Sequence, residues 1–134
     1  MLTFIDACVL IAAVQGNNET CSRAFEILDD PEREFVVSDF LKLEVIPKPT
    51  FQGYDDQVQF FEEFFKSAVL QVQPSETILS QALDLACKYD LTPLDALHIS
   101  IAVEAAVEEF VTLERYGKPI TRVQEVKVIS IHKS

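Results

Sequence analysis

The sequence has few cysteines and no long hydrophobic run. Its three cysteines are Cys8, Cys21 and Cys87, and no two of them form a Cys-x-x-Cys pair. This spacing offers neither a zinc ligand set nor an even-numbered disulfide framework, and it is typical of the reducing cytoplasm. The longest apolar run, Ala7 to Val14, has eight residues, whereas a membrane helix needs ~20. We therefore expect a cytoplasmic protein that does not cross a membrane.

Glycine and proline are also scarce, with 3 and 6 residues among 134. Because 49% of the residues are hydrophobic, the chain is too apolar to stay disordered despite its charge. A chain of this length suits one compact unit around a single core. The sequence therefore predicts a single domain that covers residues 1–134.

Basic residues are half as numerous as acidic ones. The chain has 11 Lys and Arg against 22 Asp and Glu, a net charge of −11, which argues against a broad nucleic-acid surface. The charge is uneven, however, since Met1 to Glu44 carries −6 and Asp95 to Ser134 only −1. The segment after Glu114 holds five basic residues and a single acid, Glu125. A local anion site near the end of the chain is therefore compatible with the overall charge.

Short apolar segments alternate with segments of helical periodicity. Strand candidates are 2–5, 35–37, 69–72, 110–112 and 128–131, and helix candidates include 19–28, 55–68, 76–89 and a helix opened by Thr92-Pro93. Ser38 can cap another helix, which Pro47 and Pro49 end before a loop. Short strands that are apolar on both faces and separated by helices predict a mainly parallel sheet. We expect an α/β fold, a three-layer α/β/α sandwich.

Four acidic residues fall near the carboxyl ends of the predicted strands or in the helices that follow. They are Asp6, Glu44, Asp95 and Glu114. Ligands of open parallel sheets bind at this edge. Carboxylates gathered there would repel each other unless a hard divalent cation such as Mg²⁺ or Mn²⁺ neutralised them.

Each of these acids also has a purely structural interpretation. Asp95 stands at the third position of a Thr-capped helix, where a carboxylate stabilises the helix end by roughly 0.3–1 kcal/mol. Glu44 fits a solvated helix face, and Glu114 fits a surface ion pair with Arg115. Asp6 is the exception, because a charge that closes a buried strand needs a partner. The functional interpretation rests on the four residues occurring together.

Other side chains near these positions favour structural roles. His98 lies one turn after Asp95 and can contact it, although a core histidine is the more common role. Cys8 fits a small buried side chain rather than a nucleophile. The pairs Phe60-Phe61 and Phe64-Phe65 fit a core or an oligomer face.

Several segments together resemble the PIN domain, a family of metal-dependent nucleases that includes the toxin subunits of bacterial toxin–antitoxin pairs. The resemblance covers nearly the whole chain, and its segments are 4–11, 38–45, 94–99 and 111–114. The most specific part runs from Tyr89 to Glu114 and contains the sequence Asp-Ala-Leu-His at 95–98.

The resemblance implies a metal-dependent endoribonuclease that acts on single-stranded RNA, with an antitoxin partner and a homodimeric assembly. The family's acidic residues correspond to Asp6, Glu44, Asp95 and Glu114. Asp6, Asp95 and Glu114 would hold Mg²⁺ or Mn²⁺, and Glu44 would position the attacking water. Arg115 and Lys118 are the nearest candidates for contacts with RNA phosphates.

Two departures from the family pattern leave an alternative open. The family usually has Ser, Thr or Asn where this chain has Cys8, and Asp where it has Glu114. A degenerate PIN scaffold that binds RNA or a protein without cleavage is therefore the alternative. Phospho-accepting receiver domains and haloacid dehalogenases fit less well, because both need a second acid close to Asp6.

Overall fold

The computed structural model describes residues 1–133, apart from the side chain of Asn18. Ser134, the last residue of the predicted domain, lies outside the described residues. Along the chain the elements are β1 Leu2–Ile5, α1 Ala7–Gln15, α2 Asn18–Leu28, β2 Glu34–Ser38, α3 Asp39–Val45, α4 Pro47–Gln52, α5 Asp55–Ser67, β3 Leu70–Val72, α6 Glu76–Tyr89, α7 Pro93–Glu104, β4 Glu109–Thr112, a 3-10 helix Pro119–Arg122, and β5 Val128–Ser130. No helix within residues 1–133 is long and apolar enough to cross a membrane.

The five strands form one sheet in the order β3-β2-β1-β4-β5, and every pair of neighbours is parallel. In the central register, Phe4 of β1 lies between Val36 of β2 and Phe110 of β4. Because all strands point the same way, their carboxyl ends meet at one edge of the sheet. The predicted α/β sandwich with a parallel sheet is confirmed.

The helices cover the two faces of the sheet. The chain moves from β1 through β2 to β3 with α1 to α5 as connections, and α6 and α7 carry it back across the sheet to β4. Such crossovers are nearly always right-handed, so connections that run in opposite directions lie on opposite faces. This arrangement gives the three layers.

The central strands are buried on both faces because helices cover both. Phe4, Val36 and Phe110 are 0% exposed, and the rings of Phe4 and Phe110 stack with centroids 5.2 Å apart. This burial explains why the strands read as continuous apolar runs without alternation. The edge strand β3 is more exposed, with Leu70 at 43%.

The region after Ser38 differs from the prediction. The sequence predicts a loop after Pro47, but the chain forms a second helix, α4, with Pro47 in its first turn. Proline is well suited to that position, since the first N–H groups of a helix have no partner within it. Gly53 then ends α4 with a φ of 75°, a left-handed conformation that glycine adopts without strain.

The phenylalanines of α5 belong to the core. Phe61 and Phe64 are buried, and the ring of Phe64 lies 5.5 Å from that of Phe35 on β2. Phe60 is half-buried against Phe25 of α2, with ring centroids 5.7 Å apart. These contacts account for the aromatic pairs by packing within the chain.

Candidate active site

Asp6 occupies the junction between β1 and α1 at the carboxyl edge of the sheet. It caps α1, since its Oδ1 accepts a hydrogen bond from the Ala7 N–H at 2.8 Å. Its Oδ2 accepts from the Thr112 hydroxyl at 2.9 Å and from the Cys8 thiol at 3.4 Å. Asp6 is only 6% exposed, and burial raises its carboxyl pKa although these hydrogen bonds oppose the effect. The carboxylate is therefore held in one orientation at a cost in desolvation.

Thr112 connects Asp6 to the end of the neighbouring strand. It is fully buried at the end of β4, which pairs with β1, and the Asp6 N–H donates to the Val111 carbonyl at 2.9 Å. The Thr112 hydroxyl oxygen also accepts from the Glu114 N–H at 3.2 Å. The same hydroxyl thus orients Asp6 and the backbone that carries Glu114, whose side chain is exposed.

Asp95 lies in the first turn of α7, where the Thr92 hydroxyl accepts from its N–H at 3.3 Å. Its pKa is raised to about 6, first by burial and then by the charges of Asp6 and Glu114. Thr92 caps the helix as predicted. A carboxylate that served only to stabilise an exposed helix end would have a lowered pKa, whereas burial, and after it the negative charges of Asp6 and Glu114, raises the pKa of Asp95.

Glu44 is brought to the same region by α3, which begins where β2 ends. Its side chain is 28% exposed, and Oε1 bonds to Nε2 of His98 on α7. His98 therefore contacts Glu44, a partner that the sequence did not indicate; the sequence favoured a core role and noted only that Asp95 is within reach one turn earlier. The difference arises because α3 and α7 meet side by side only in the folded chain.

Cys8 lies within the same hydrogen-bond network. Its thiol donates to Asp6, lies 3.6 Å from the Thr112 hydroxyl, and accepts from the Leu113 N–H at 3.3 Å. Burial, followed by the charge of Asp6, raises the pKa of Cys8 to about 12. The side chain thus remains a protonated thiol at neutral pH, which suits a hydrogen-bond donor and not a nucleophile.

A family model described as PIN domain matches residues 3–116. The chain belongs to the PIN domain family. No curated protein matches it in sequence.

Several solved structures share the fold of this chain. A toxin–antitoxin complex from Klebsiella pneumoniae aligns with a TM-score of 0.72 at 18% identity over 96% of each chain. VapBC2 from Rickettsia felis, bound to a DNA fragment from its promoter, aligns with a TM-score of 0.71 at 14% identity, over 97% of this chain and 98% of that chain. VapC20 from Mycobacterium tuberculosis, a sarcin-ricin loop cleaving toxin, aligns with a TM-score of 0.65 at 11% identity, over 81% of this chain and 86% of that chain. At such identities the similarity establishes the fold.

PIN domains generally depend on a divalent cation, and the donor chemistry of this one fits a hard ion. Asp6, Asp95 and Glu114 offer carboxylate oxygens, the ligands that Mg²⁺ and Mn²⁺ prefer. The charges of Asp6 and Glu114 raise the pKa of Asp95 after burial has done so, and a cation would relieve that repulsion. Within residues 1–133, however, no three His, Cys, Asp or Glu side chains are arranged to hold an ion together. Binding would therefore require side chains to turn, and Glu114 is exposed and free to do so.

The two basic candidates lie in the loop that follows β4 in this PIN domain. Arg115 and Lys118 are exposed, and the Lys118 N–H donates to the Arg115 carbonyl at 3.1 Å. Neither side chain forms an ion pair with any residue in the described part of the chain. By contrast, Lys127 binds Glu109 and Lys133 binds Glu19. Arg115 and Lys118 thus carry positive charge immediately after Glu114.

Thr112 and His98 contribute more to this region than the sequence indicated. Thr112 was recognised only as the end of a strand, and its contact with Asp6 spans 106 residues. Burial of His98 is consistent with the expected core role, but its bond to Glu44 adds a contact with a candidate site residue. The sequence signal that could have found both is a polar residue within an otherwise apolar buried segment, which needs a partner.

Proposed function

We propose that this PIN domain is a Mg²⁺- or Mn²⁺-dependent endoribonuclease that hydrolyses phosphodiester bonds in single-stranded RNA. The proposal is supported by the electrostatic coupling of Asp95 to Asp6 and Glu114 near the carboxyl edge of the parallel sheet. These acids are near enough for the charges of Asp6 and Glu114 to raise the pKa of Asp95, after burial. A buried, like-charged group in such a position is typical of a functional site and costs stability.

The three acids Asp6, Asp95 and Glu114 would hold the cation. The ion would act as a Lewis acid on the phosphoryl oxygen and activate the attacking water. Thr112 and the Ala7 N–H fix the orientation of Asp6. Glu44 is assigned to orient the water for in-line attack on the phosphodiester.

Arg115 and Lys118 supply the phosphate contacts. Because the chain carries a net charge of −11, RNA binding should be weak without a cation and should weaken further as salt rises. Substitution of both residues by alanine should raise KM by about tenfold and leave kcat within about twofold, since each phosphate contact contributes to affinity more than to chemistry.

The direct test is cleavage of single-stranded RNA by the purified protein with Mg²⁺ or Mn²⁺. Asp6→Asn and Asp95→Asn should abolish cleavage, while Asp84→Asn, which neutralises an exposed acid on α6, should retain it. Equal cleavage by the protein and by both site variants would refute the proposal, because the activity would then come from a contaminant.

A second part of the proposal is a role as the cytoplasmic toxin of a toxin–antitoxin pair. The Klebsiella pneumoniae neighbour is a toxin–antitoxin complex, and VapC20 is a sarcin-ricin loop cleaving toxin. Expression of this chain should arrest growth of a bacterial host, and Asp95→Asn should not. A small DNA-binding protein encoded next to it should relieve the arrest. Growth at the wild-type rate despite soluble expression contradicts the toxin role.

The homodimer is a separate part of the proposal. The Phe-rich helix α5 is largely occupied by core packing, so the assembly would have to use other surfaces. Sedimentation equilibrium should give twice the chain mass of 15.1 kDa, and a single 15.1 kDa species rules the dimer out.

One observation favours a second candidate, a PIN scaffold that binds RNA or protein without cleaving. No three potential ligand side chains within residues 1–133 are arranged to hold an ion. Calorimetric titration with Mn²⁺ separates the two functions. Binding that Asp6→Asn abolishes supports the nuclease, and absence of binding supports the scaffold.

A further inference from the structure

His98 lies at the centre of the acidic region, inside the protein. It is 0% exposed on α7 and packs against Phe4 of β1, with ring centroids 5.4 Å apart. A buried imidazole costs free energy unless its polar atoms find partners. An aliphatic side chain would fill the same space without that cost. The partners of the His98 ring nitrogens should therefore indicate why a histidine stands at this position.

The hydrogen-bond partner of His98 is a candidate site residue. Nε2 bonds to Oε1 of Glu44, which requires Nε2 to carry the proton if the carboxylate is ionised. Nδ1 has no hydrogen-bond partner among the residues that the structure describes. The polar bonding of the ring is thus directed to Glu44 on α3, which packs beside α7.

His98 also lies near two other acids of the site. Burial raises the carboxyl pKa values of Asp6 and Asp95, and His98 is among the groups that oppose the increase in both. The imidazole therefore interacts electrostatically with both aspartates, in addition to its bond with Glu44.

We propose that His98 is a positioning residue, which holds the Glu44 carboxylate at the edge of the acidic cluster through its Nε2–H bond. With Oε1 bound to His98, Oε2 accepts no hydrogen bond from the described residues, and the Glu44 side chain is 28% exposed, so this oxygen is available to orient a water. The inference rests on the proposed nuclease function, because it assigns the residue that keeps Glu44 in place for water attack. Without this bond Glu44, on an exposed helix face, would sample several rotamers.

The test uses two substitutions of His98 that differ in whether the new side chain can donate a hydrogen bond. In His98→Gln the side-chain amide nitrogen reaches about the place of Nε2 and still donates a hydrogen bond. His98→Leu has a similar volume, remains apolar and donates none. Both are compared with Glu44→Gln and with the double variant His98→Leu/Glu44→Gln, by kcat and KM for RNA and by Mn²⁺ affinity from calorimetry.

The proposal expects His98→Gln to keep at least a third of the wild-type kcat. His98→Leu should lower kcat by ~10²-fold, the effect of a misplacement of about 1 Å, with KM and Mn²⁺ affinity within threefold of wild type. In the Glu44→Gln background, His98→Leu should change kcat by less than threefold, because the residue it positions is already disabled. Equal losses in His98→Gln and His98→Leu, or losses that multiply in the double variant, overturn the proposal.

A second measurement remains decisive if His98→Leu does not fold. Nitrogen-15 NMR of the histidine rings in the metal-free protein should show His98 protonated at Nε2, and Glu44→Gln should shift that signal. Glu62→Gln on α5 serves as the control and should not shift it. An unchanged His98 signal in Glu44→Gln overturns the proposal. If the wild-type protein has no cation-dependent RNA cleavage at all, the nuclease proposal fails by itself, whatever the NMR result.

Discussion

The acidic side chains at the two ends of the parallel sheet differ in whether they have basic partners. At the amino end, Arg33 donates to Glu109 at 2.8 Å and approaches Asp30 at 3.4 Å, and Lys127 lies 3.2 Å from Glu109. Burial raises the pKa of Glu109, but the bonds from Arg33 and Lys127 outweigh it and lower the pKa overall. Glu109 and Asp30 at this end therefore both have a basic partner.

At the carboxyl end, the acids have no Lys or Arg partner within the described residues. Burial and neighbouring negative charge raise the pKa of Asp95 to about 6. The fold thus pairs Glu109 and Asp30 with basic side chains and leaves Asp6, Asp95 and Glu114 without one, at the edge where we propose that a cation binds. Sites that sacrifice stability in this manner are typical of function.

The largest expected difference is in RNA cleavage, between substitutions at the carboxyl end and substitutions at the amino end of the sheet. Asp6→Asn or Asp95→Asn should lower cation-dependent RNA cleavage by at least ~10²-fold, since each replaces a charged carboxylate proposed to bind the cation with a neutral amide. Glu109→Gln neutralises an acid at the opposite end and should leave kcat within threefold. Initial-rate measurements check both, and a loss in Glu109→Gln equal to that in Asp6→Asn would erase the distinction between the ends.

For the free energy of unfolding, in contrast to activity, the larger loss should come from a substitution at the amino end of the sheet. Arg33→Met leaves Glu109, which is 12% exposed, without its closest basic partner, and should lower the free energy of unfolding by about 2 kcal/mol. Lys133→Met is the control, because its ion pair with Glu19 is exposed and should contribute less than about 0.5 kcal/mol. Urea titration measures both, and equal effects would show that the amino end is not specially stabilised.

Neutralising an acid at the carboxyl end should stabilise the metal-free protein. Asp95→Asn removes a charge that burial and two acids disfavour, and after allowance for solvent screening and for the lost helix-end interaction it should raise the unfolding free energy by about 1 kcal/mol. With saturating Mn²⁺ the wild-type protein should become more stable than Asp95→Asn, since only the wild-type site would gain binding energy. Thermal melts with and without Mn²⁺ provide the readout, and a destabilised metal-free variant would contradict the prediction.

The Asp95 carboxyl should also make the free energy of unfolding depend on pH, and the sign of that dependence follows from its pKa. The folded-state pKa of Asp95 is about 6, above the ordinary value of 3.8, so the folded state binds this proton more tightly than the unfolded state. The contribution of Asp95 to stability is therefore present below 3.8 and is lost as pH rises to about 6. The difference in unfolding free energy between wild type and Asp95→Asn should change across that window and stay constant from pH 7 to 8.

The smallest expected effect concerns the thiol of the acidic cluster. Because the pKa of Cys8 is about 12, iodoacetamide at pH 8 should modify the exposed Cys87 first. Peptide mass spectrometry over time measures both rates, and unfolding in urea should make them similar. Equally fast modification of Cys8 in the folded protein would show that its thiol is not held in the cluster.

Much of this architecture was predictable from local sequence. The apolar runs at 2–5 and 110–112 and the caps at Ser38 and Thr92 predicted strands and helix starts, because periodicity and capping are properties of neighbouring residues. Helix α4 was missed because Pro47 is as well suited to begin a helix as to end one. The candidate acids were recognisable by their position after strands and by the family resemblance.

The sequence by itself determined the alternation of strands and helices, and with it the sheet edge near which Asp6, Glu44, Asp95 and Glu114 are predicted to lie. Only the tertiary structure decided their partners. Thr112 reaches Asp6 because β1 and β4 are neighbours, and His98 reaches Glu44 across 54 residues because α3 and α7 pack together. The physical reason is that charge and periodicity are encoded locally, whereas burial and hydrogen bonds between distant residues exist only after strand order has been set.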